Sequence, residues 1–443
     1  MRGVWKFWLP TLFLLVGALY MVSLTVRAPD SRLYWEFGGR IDHRSFTQGY
    51  LEWTHHRAGD PLPLESAKRA SHALAPYTDF SSEYPAGALL VFAAVRLAFD
   101  DVRIFTIAYS SLVTICVCVS ISLIMLLVER HFSNARTQTL VAFTFMMWVG
   151  LSGAFVVTRF DSIVAGFVTL GLFAWYGGRY FLTGVCLGLG ASIKLWPALL
   201  IPLCGAANLH HFRSQPEAGR QVLSLGIGGL VGVTLPCVAV VAFGTSPNDL
   251  FAYLAYYRDR PIEIESLLAN IVMILHSMGL LTVQENFDFG SINLLPANWS
   301  LMAQFFSISF GLLWFGTVFW IWRSGASKEA TIYAMGFVVV ALMLASKVFS
   351  GEYMIWIMPF ALLAVAQGRW GSAVAYSVAL AFLKLAFWHW DSVREMELVG
   401  ILLLTFKNLA CIVTACLFAY EMRQAIRSGG AGKRLGTTAD ETT

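Results

Sequence analysis

Charge is what this chain has least of. Only 13% of its 443 residues are Asp, Glu, Lys or Arg, against 57% hydrophobic residues and a mean hydropathy of +0.64, roughly half the charged share of an ordinary soluble globule. That balance excludes a soluble domain and leaves a polytopic helical membrane protein. Cysteine is absent where it would build a framework: Cys116, Cys118, Cys186, Cys204, Cys237, Cys411 and Cys416 all lie inside apolar runs, and none lies in the large loop after residue 26. Small buried hydrophobes account for them, so neither a disulfide scaffold nor a zinc site follows. The phosphate-loop spacing GxxxxGK[ST] is missing around Gly188-Leu189-Gly190. Gly184 and Gly188 are expected instead to bring two helices close together.

What the chain does have is long apolar runs: 5 to 26, 103 to 128, 137 to 157, 162 to 176, 180 to 193, 195 to 206, 221 to 243, 300 to 322, 329 to 345, 352 to 366, 371 to 388 and 397 to 421. Several fall short of the roughly 20 residues that cross about 30 Å of hydrocarbon, so their ends must reach into flanking sequence. Arg2 and Lys6 at the start of the first run resemble a signal peptide, but the apolar core is long and no small-x-small cleavage site follows. The run is therefore expected to be a retained first span. Twelve crossings place both termini in the cytoplasm, and the inner loops then hold Arg130, Arg136, Arg179, Arg213, Arg220, Arg323, Lys328, Arg369 and the tail cluster Arg423, Arg427, Lys433 and Arg434, as the positive-inside rule requires. This bias accounts for the net charge of +4 without nucleic acid. The expected layout is one bundle over 1–427 and a disordered cytoplasmic tail over 428–443.

Two segments are left on the outer side. Residues 27–102 form a large outer loop of mixed charge, Pro, Gly and aromatics, whose stretch 85 to 99 has the length of an interfacial or re-entrant helix. Residues 244–299 form the second, with an apolar stretch from Leu267 to Leu281 and a polar end.

The chemistry-bearing residues gather on this side. Asp30 and Tyr34 share a face if a helix starts after the first span; the aspartate is then either an N-cap or a general base at the membrane surface. Asp79 and Glu83 sit among tyrosines and turn formers in Pro76 to Gly87, readable as a loop-to-helix junction or as part of a site. Arg159 and Asp161 suit either an interfacial ion pair or a functional pair at membrane depth. Lys194 interrupts an apolar stretch, which snorkelling alone would permit. Arg258 and Arg260, beside a helix expected to start at Pro261, offer planar forks to a phosphate or form a salt-bridged turn. Lys347 adds a cation between two spans, whereas His276 and His389 stand alone in apolar or aromatic settings and are left out of the site. Carboxylates and cations from separate connections on one rim suit an anionic, lipid-borne substrate.

In order along the chain, Asp30-x-x-x-Tyr34, Pro76-Tyr77-x-Asp79-Phe80-x-x-Glu83-Tyr84-Pro85, Thr158-Arg159-Phe160-Asp161, Lys194-Leu195-Trp196-Pro197, Arg260-Pro261-Ile262-x-Ile264-Glu265-Ser266 and Lys347-Val348-Phe349-Ser350 resemble the polytopic GT-C glycosyltransferases. The closest resemblance is to glycosyltransferase family 87, over roughly residues 25 to 370. It implies an all-α GT-C-like bundle of about 12 transmembrane helices, with juxtamembrane helices in the first outer loop. It also implies Asp30 as the catalytic base. Two departures bear on specificity: Ala86 stands where the family pattern has a second proline, and a Gly-Gln-x-Asn motif is replaced by Thr158-Arg159-Phe160-Asp161.

The resemblance implies a multi-pass cell-membrane hexosyltransferase. It would move mannose, with inversion, from a polyprenyl-phosphate donor to a lipid-linked or cell-envelope glycan on the outer face. Tyr34, Asp79, Glu83, Arg159, Asp161, Lys194, Arg258, Arg260 and Lys347 are the expected substrate-binding residues. A lipid-phosphate donor carries fewer charges than a nucleotide diphosphate, so electrostatics require no cofactor; a divalent metal is left open. The competing classes are a transporter or flippase of a lipid-linked anion and an inactive scaffold. The first would need ionisable residues along a path, where only Lys384 and Lys407 fit, and an internal repeat, of which the sequence shows none. The second would make Asp30 dispensable.

Overall fold

The computed structural model describes residues 31, 33–35, 37–38, 75–78, 82–132, 135–210 and 216–436. Among the described residues it is a helical membrane protein with one small sheet. The helices, in chain order, are α1 (Ala86–Ala98), α2 (Val102–Phe132), α3 (Ala135–Ser152), α4 (Phe155–Thr158), α5 (Asp161–Tyr176), α6 (Tyr180–Ile193), α7 (Leu200–Leu209), α8 (Pro216–Ala242), α9 (Tyr253–Asp259), α10 (Leu267–Ser277), α11 (Trp299–Ser324), α12 (Lys328–Ala345), α13 (Met358–Ala366), α14 (Gly371–Trp388), α15 (Trp390–Arg394) and α16 (Leu398–Gly436). Short 3-10 turns, Trp196–Leu199 and Gly351–Ile357, lead into α7 and α13.

Among the described residues α2, α8, α11, α12, α14 and α16 are long and apolar enough to cross a membrane; six further apolar helical stretches are shorter. The first expected span lies outside the described residues, and each other run coincides with a helix, with one correction. The run 137 to 157 is two helices, because the chain turns at Gly153 (φ 60°) between α3 and α4. A left-handed residue ends a helix cheaply only when it has no Cβ.

Local sequence explains several boundaries. The Asp101 carboxylate accepts from the amides of Arg103 and Ile104 (2.9 and 3.1 Å) and starts α2. Ser266 and Ser327 do the same for α10 and α12 through the amides of Ala269 and Ala330. Gly325, at φ 59°, stops α11.

α12 and α13 form the buried centre, while α11 lies at the surface with Leu301, Phe305, Ile308, Leu312, Phe315 and Phe319 exposed along it. An apolar stripe at that spacing suits acyl chains rather than water. α6 and α8 pack backbone to backbone, as Gly184 and Gly188 imply. A Cβ on Gly188 would strike the Gly229 carbonyl oxygen, and one on Gly184 the Leu225 carbonyl oxygen.

The sheet was not expected. β2 (Val283–Asp288) and β3 (Ser291–Pro296) form a hairpin through Phe289 and Gly290, both at positive φ (56° and 69°), the requirement of a two-residue type I′ turn. β1 (Ile262–Glu263) adds antiparallel to β3, with Ile262 opposite Leu294 and Glu263 opposite Asn293. Loops divide between the two ends of the bundle. One end holds Lys328, whose ammonium donates to the carbonyls of Trp175 and Tyr176 (2.9 and 3.1 Å), and Arg369, bonded to Gln424. The other gathers the ends of α4, α6 and α12.

Candidate functional site

Two helix ends meet where Asp161 opens α5 and Lys194 follows α6. Pro197 lacks the amide that would reach back to Ile193, so α6 stops there and Lys194 becomes extended (φ −153°, ψ 125°). Its ammonium meets Asp161 Oδ1 at 2.7 Å, with the carboxylate fully buried and the lysine side chain 11% exposed. Trp356 Nε1 donates to the same Oδ1 at 2.7 Å. The ammonium also lies 4.0 Å from the centre of the Tyr353 ring and 5.0 Å from Phe160 and Trp356. Snorkelling is therefore not its role. Asp161 is paired with Lys194 across the helix ends rather than with its neighbour Arg159, which stands over Phe155 at 5.8 Å and beside the charge of Glu352.

The segment after α9 supplies the next groups. Pro261 does not start a helix, a correction to the sequence expectation. The chain stays extended through β1, and α10 begins only at Leu267. The Glu263 amide donates to the Lys347 carbonyl at 2.9 Å, and Ile264 to Ile292 at 3.0 Å, so the sheet holds Arg260 in place. The buried Arg260 guanidinium reaches Glu263 at 3.3 Å and Ser291 Oγ at 2.9 Å. Glu83 lies close enough to Tyr256 and Arg260 to act on both electrostatically. Lys347 donates to the Arg258 carbonyl at 2.8 Å and stands 5.1 Å over Trp299. Arg258 itself turns outward, 77% exposed and paired with Asp259.

Of the residues expected at the site, Glu83, Arg159, Asp161, Lys194, Arg260 and Lys347 come together. Tyr34 lies beside them in an aromatic core, stacked on Phe92 at 4.4 Å and edge-on to Tyr84 and Phe160 at 5.9 Å. Asp30 and Asp79 lie outside the described residues. A direct tie closes the first loop onto the second segment: Thr245 Oγ1 donates to the Pro76 carbonyl, and Thr78 Oγ1 to Asp249, both at 2.9 Å. Gly87 completes the packing, since any Cβ there would collide with Ser192 just before Lys194.

Sequence reasoning missed several participants. Glu263, Glu265 and Glu352 are buried around these cations, although the sequence offered only their nearness to Arg260 and Lys347. Burial, with Glu263 beside it, pushes the Glu265 carboxyl up to about 8 against the pull of Lys407, and burial also raises Glu263. Lys407 was noted only as a residue that would fit a transport path. It is fully buried, donates to the Glu265 carbonyl at 2.7 Å and lies 4.0 Å over Phe349. Lys384, the other intramembrane lysine, donates to the Gly150 carbonyl at 2.8 Å. Neither is left as a free charge on a path.

A cavity of about 290 Å³ lies against these groups. Ser307 and Phe310 of α11 and Leu342 and Met343 of α12 form its apolar side; Lys194, Lys347, Trp196, Tyr353 and Trp356 form its polar end. An elongated apolar molecule with an anionic head fits that polarity. Among the described residues no cluster of three or more His, Cys, Asp or Glu is placed to hold a metal ion.

Residues 83–350 match the model of glycosyltransferase family 87. No curated protein matches the chain.

Proposed function

Because the chain belongs to glycosyltransferase family 87 and is a membrane glycosyltransferase, we propose that it transfers a hexose, mannose by the family resemblance, from a polyprenyl-phosphate donor. The acceptor is a hydroxyl of a lipid-linked or cell-envelope glycan at the outer face of the cell membrane, and both termini are cytoplasmic. The observation that carries this reading is the cavity whose apolar wall between α11 and α12 leads to the ammonium groups of Lys194 and Lys347. The wall suits a polyprenyl chain and the ammonium groups suit its phosphate.

In the reaction the acceptor oxygen attacks the anomeric carbon as the bond from that carbon to the phosphate oxygen breaks, with inversion. Asp30 takes the acceptor's proton. The departing phosphate keeps the electron pair, and the fixed cations Lys194 and Lys347, with Arg260 behind them, offset the charge it gains. Arg258, turned outward, contributes its carbonyl as a hold on Lys347.

The test is transfer by purified protein in lipid, from radiolabelled polyprenyl-phosphate mannose to a crude membrane-lipid acceptor pool. Asp30→Asn is expected to lower kcat by at least about 100-fold, the scale of a lost general base, with folding intact. Equal transfer in both proteins would remove Asp30 from the mechanism and shift the role to Asp79 or Glu83. No transfer by either would overturn the donor assignment.

A pH dependence follows from Lys347. Burial, reinforced by Arg260 and opposed by Asp259, lowers its ammonium to about 8. Its positive charge is therefore present below that pH and lost above it, far earlier than for an ordinary lysine at about 10.4. Donor KM is expected to rise as pH passes through about 8, and Lys347→Arg should keep KM flat to higher pH because a guanidinium does not deprotonate there. Stability should move the other way. The unfolded chain holds this proton more tightly, so this group's contribution rises between about 8 and 10.4. A donor KM independent of pH from 7 to 9.5 would remove Lys347 from phosphate binding.

A further inference from the structure

Trp196 differs from its stacking partner Trp356 in one respect. It stacks on Trp356 at 5.2 Å and 18°, and Trp356 stacks in turn on Tyr353 at 4.2 Å and 17°. The two indoles are nearly parallel, yet their N–H groups are treated differently. Trp356 gives its hydrogen to Asp161 Oδ1 at 2.7 Å. Trp196, only 3% exposed, has no acceptor for its Nε1–H among the described residues. Burying a donor without a partner is costly, and native structures tolerate it mainly where something else completes the bond. Trp175 shares the lack, but it lies under the Lys328 ammonium at the opposite end of the bundle. Trp196 lines the cavity together with Lys194 and Lys347.

The charged and indole N–H groups of that lining are all donors: two ammonium groups and the indoles of Trp196 and Trp356, the second already given to Asp161, with no carboxylate among the lining residues. Ser346 Oγ is already engaged as an acceptor from the Val348 amide at 3.1 Å. A space whose fixed groups donate selects a ligand whose oxygens accept. An indole can only donate and cannot change its charge, so it reads the presence of an oxygen independently of pH. The apolar remainder of the cavity excludes competing water, which strengthens such a bond.

We infer that Trp196 is a binding residue for the phosphate-bearing lipid, its Nε1–H donating to a phosphoryl oxygen held between Lys194 and Lys347. The inference rests on the polyprenyl-phosphate reading above and deepens it by assigning a third contact to the phosphate. Pro197 and the 3-10 turn Trp196–Leu199 fix the backbone that carries the ring, which limits the freedom it has left to lose on binding.

Trp196→Phe tests this, because phenylalanine keeps an aromatic face on Trp356 and removes the donor. Binding of polyprenyl phosphate, of its mannose ester and of inorganic phosphate would be measured on full-length protein in nanodiscs, alongside donor KM, kcat and the thermal unfolding midpoint. The expected result is about tenfold weaker binding of both lipids, a matching rise in donor KM, a kcat within twofold, and an unfolding midpoint that does not fall. Unchanged lipid affinity in the variant, with the wild type binding normally, would overturn the assignment and leave the proposed function standing. A lowered unfolding midpoint with acceptor and donor KM raised alike would also overturn it, as the mark of a structural role. Weaker binding of the mannose ester alone would move the contact to a sugar oxygen and overturn the phosphate assignment. Inorganic phosphate binding that the variant loses, with lipid binding kept, would overturn the lipid source. A wild type that binds neither lipid would overturn the proposed function and this inference together.

Discussion

Lys194→Met should abolish sugar transfer to within assay limits, a fall of about 100- to 1,000-fold in kcat, and should also destabilise the protein by about 3 to 5 kcal/mol. Two separate effects combine in that substitution. The first is catalytic: the ammonium lines the cavity and is the cation closest to the aromatic shelf of Tyr353 and Trp356. The second is structural: methionine leaves the Asp161 carboxylate, which has no exposed surface, with only the Trp356 indole as a partner among the described residues. An uncompensated buried charge accounts for most of the loss when one member of such a pair is removed. The double variant Lys194→Met/Asp161→Asn separates the effects. It has no stranded charge, so most of the stability should return while transfer stays lost. If the single variant unfolds at the wild-type midpoint, or the double variant recovers transfer, the pair does not have this dual role. Purified protein in detergent and in nanodiscs, followed by thermal unfolding and by label transfer, gives both readouts.

Gly188→Val is expected to have the largest purely structural effect, a loss of about 3 kcal/mol or more, seen as failure to recover monodisperse protein. At most core positions an added methyl meets a side chain that can rotate. Here it meets the Gly229 carbonyl oxygen and the Gly232 Cα of the facing helix, which cannot move without carrying α8 along. Gly184, Gly228 and Gly232 make the same kind of backbone approach on the same seam, so relief at one contact strains the next. Gly226→Val is the matched control, since a Cβ there finds nothing within 4 Å. It should purify like the wild type. Similar behaviour of the two valine variants would show that the α6–α8 seam tolerates separation.

The same seam shows what a sequence conveys well. A four-residue spacing of glycines in an apolar run states a helix contact directly, and hydrophobic runs between breakers gave helices where they were expected, from α2 to α16. Gly153 escaped notice because one left-handed residue divides α3 from α4 without interrupting the apolar pattern. Pro261 misled for the opposite reason: proline favours a first helical turn, but the pairing of Ile262 with Leu294 holds the chain extended. That pairing depends on a hairpin turn built on Phe289, a residue type that rarely takes positive φ.

At the site, Lys194 and Asp161 were each legible as charges out of place, while their partnership was not. Thirty-odd residues and two helix ends separate them, and the adjacent Arg159 was the more economical partner on paper. Glu263, Glu265 and Glu352 were hidden by proximity to arginines and lysines that suggested surface pairs. Only burial reveals that they belong to the interior.

The hold of Lys407 on the Glu265 carbonyl has a consequence for how the molecule can be divided. The family match ends at residue 350, yet α16 reaches back across that boundary through Lys407, and through Thr405 and Asn408 to Asn270. The stretch that identifies the protein is thus smaller than the stretch that makes its centre rigid. A graft or chimera cut at the edge of the match would carry Arg260 and Glu265 without the helix that holds the chain at Glu265 and Asn270. Exchange of specificity between relatives is therefore better attempted with α16 carried along than with the recognisable motifs alone.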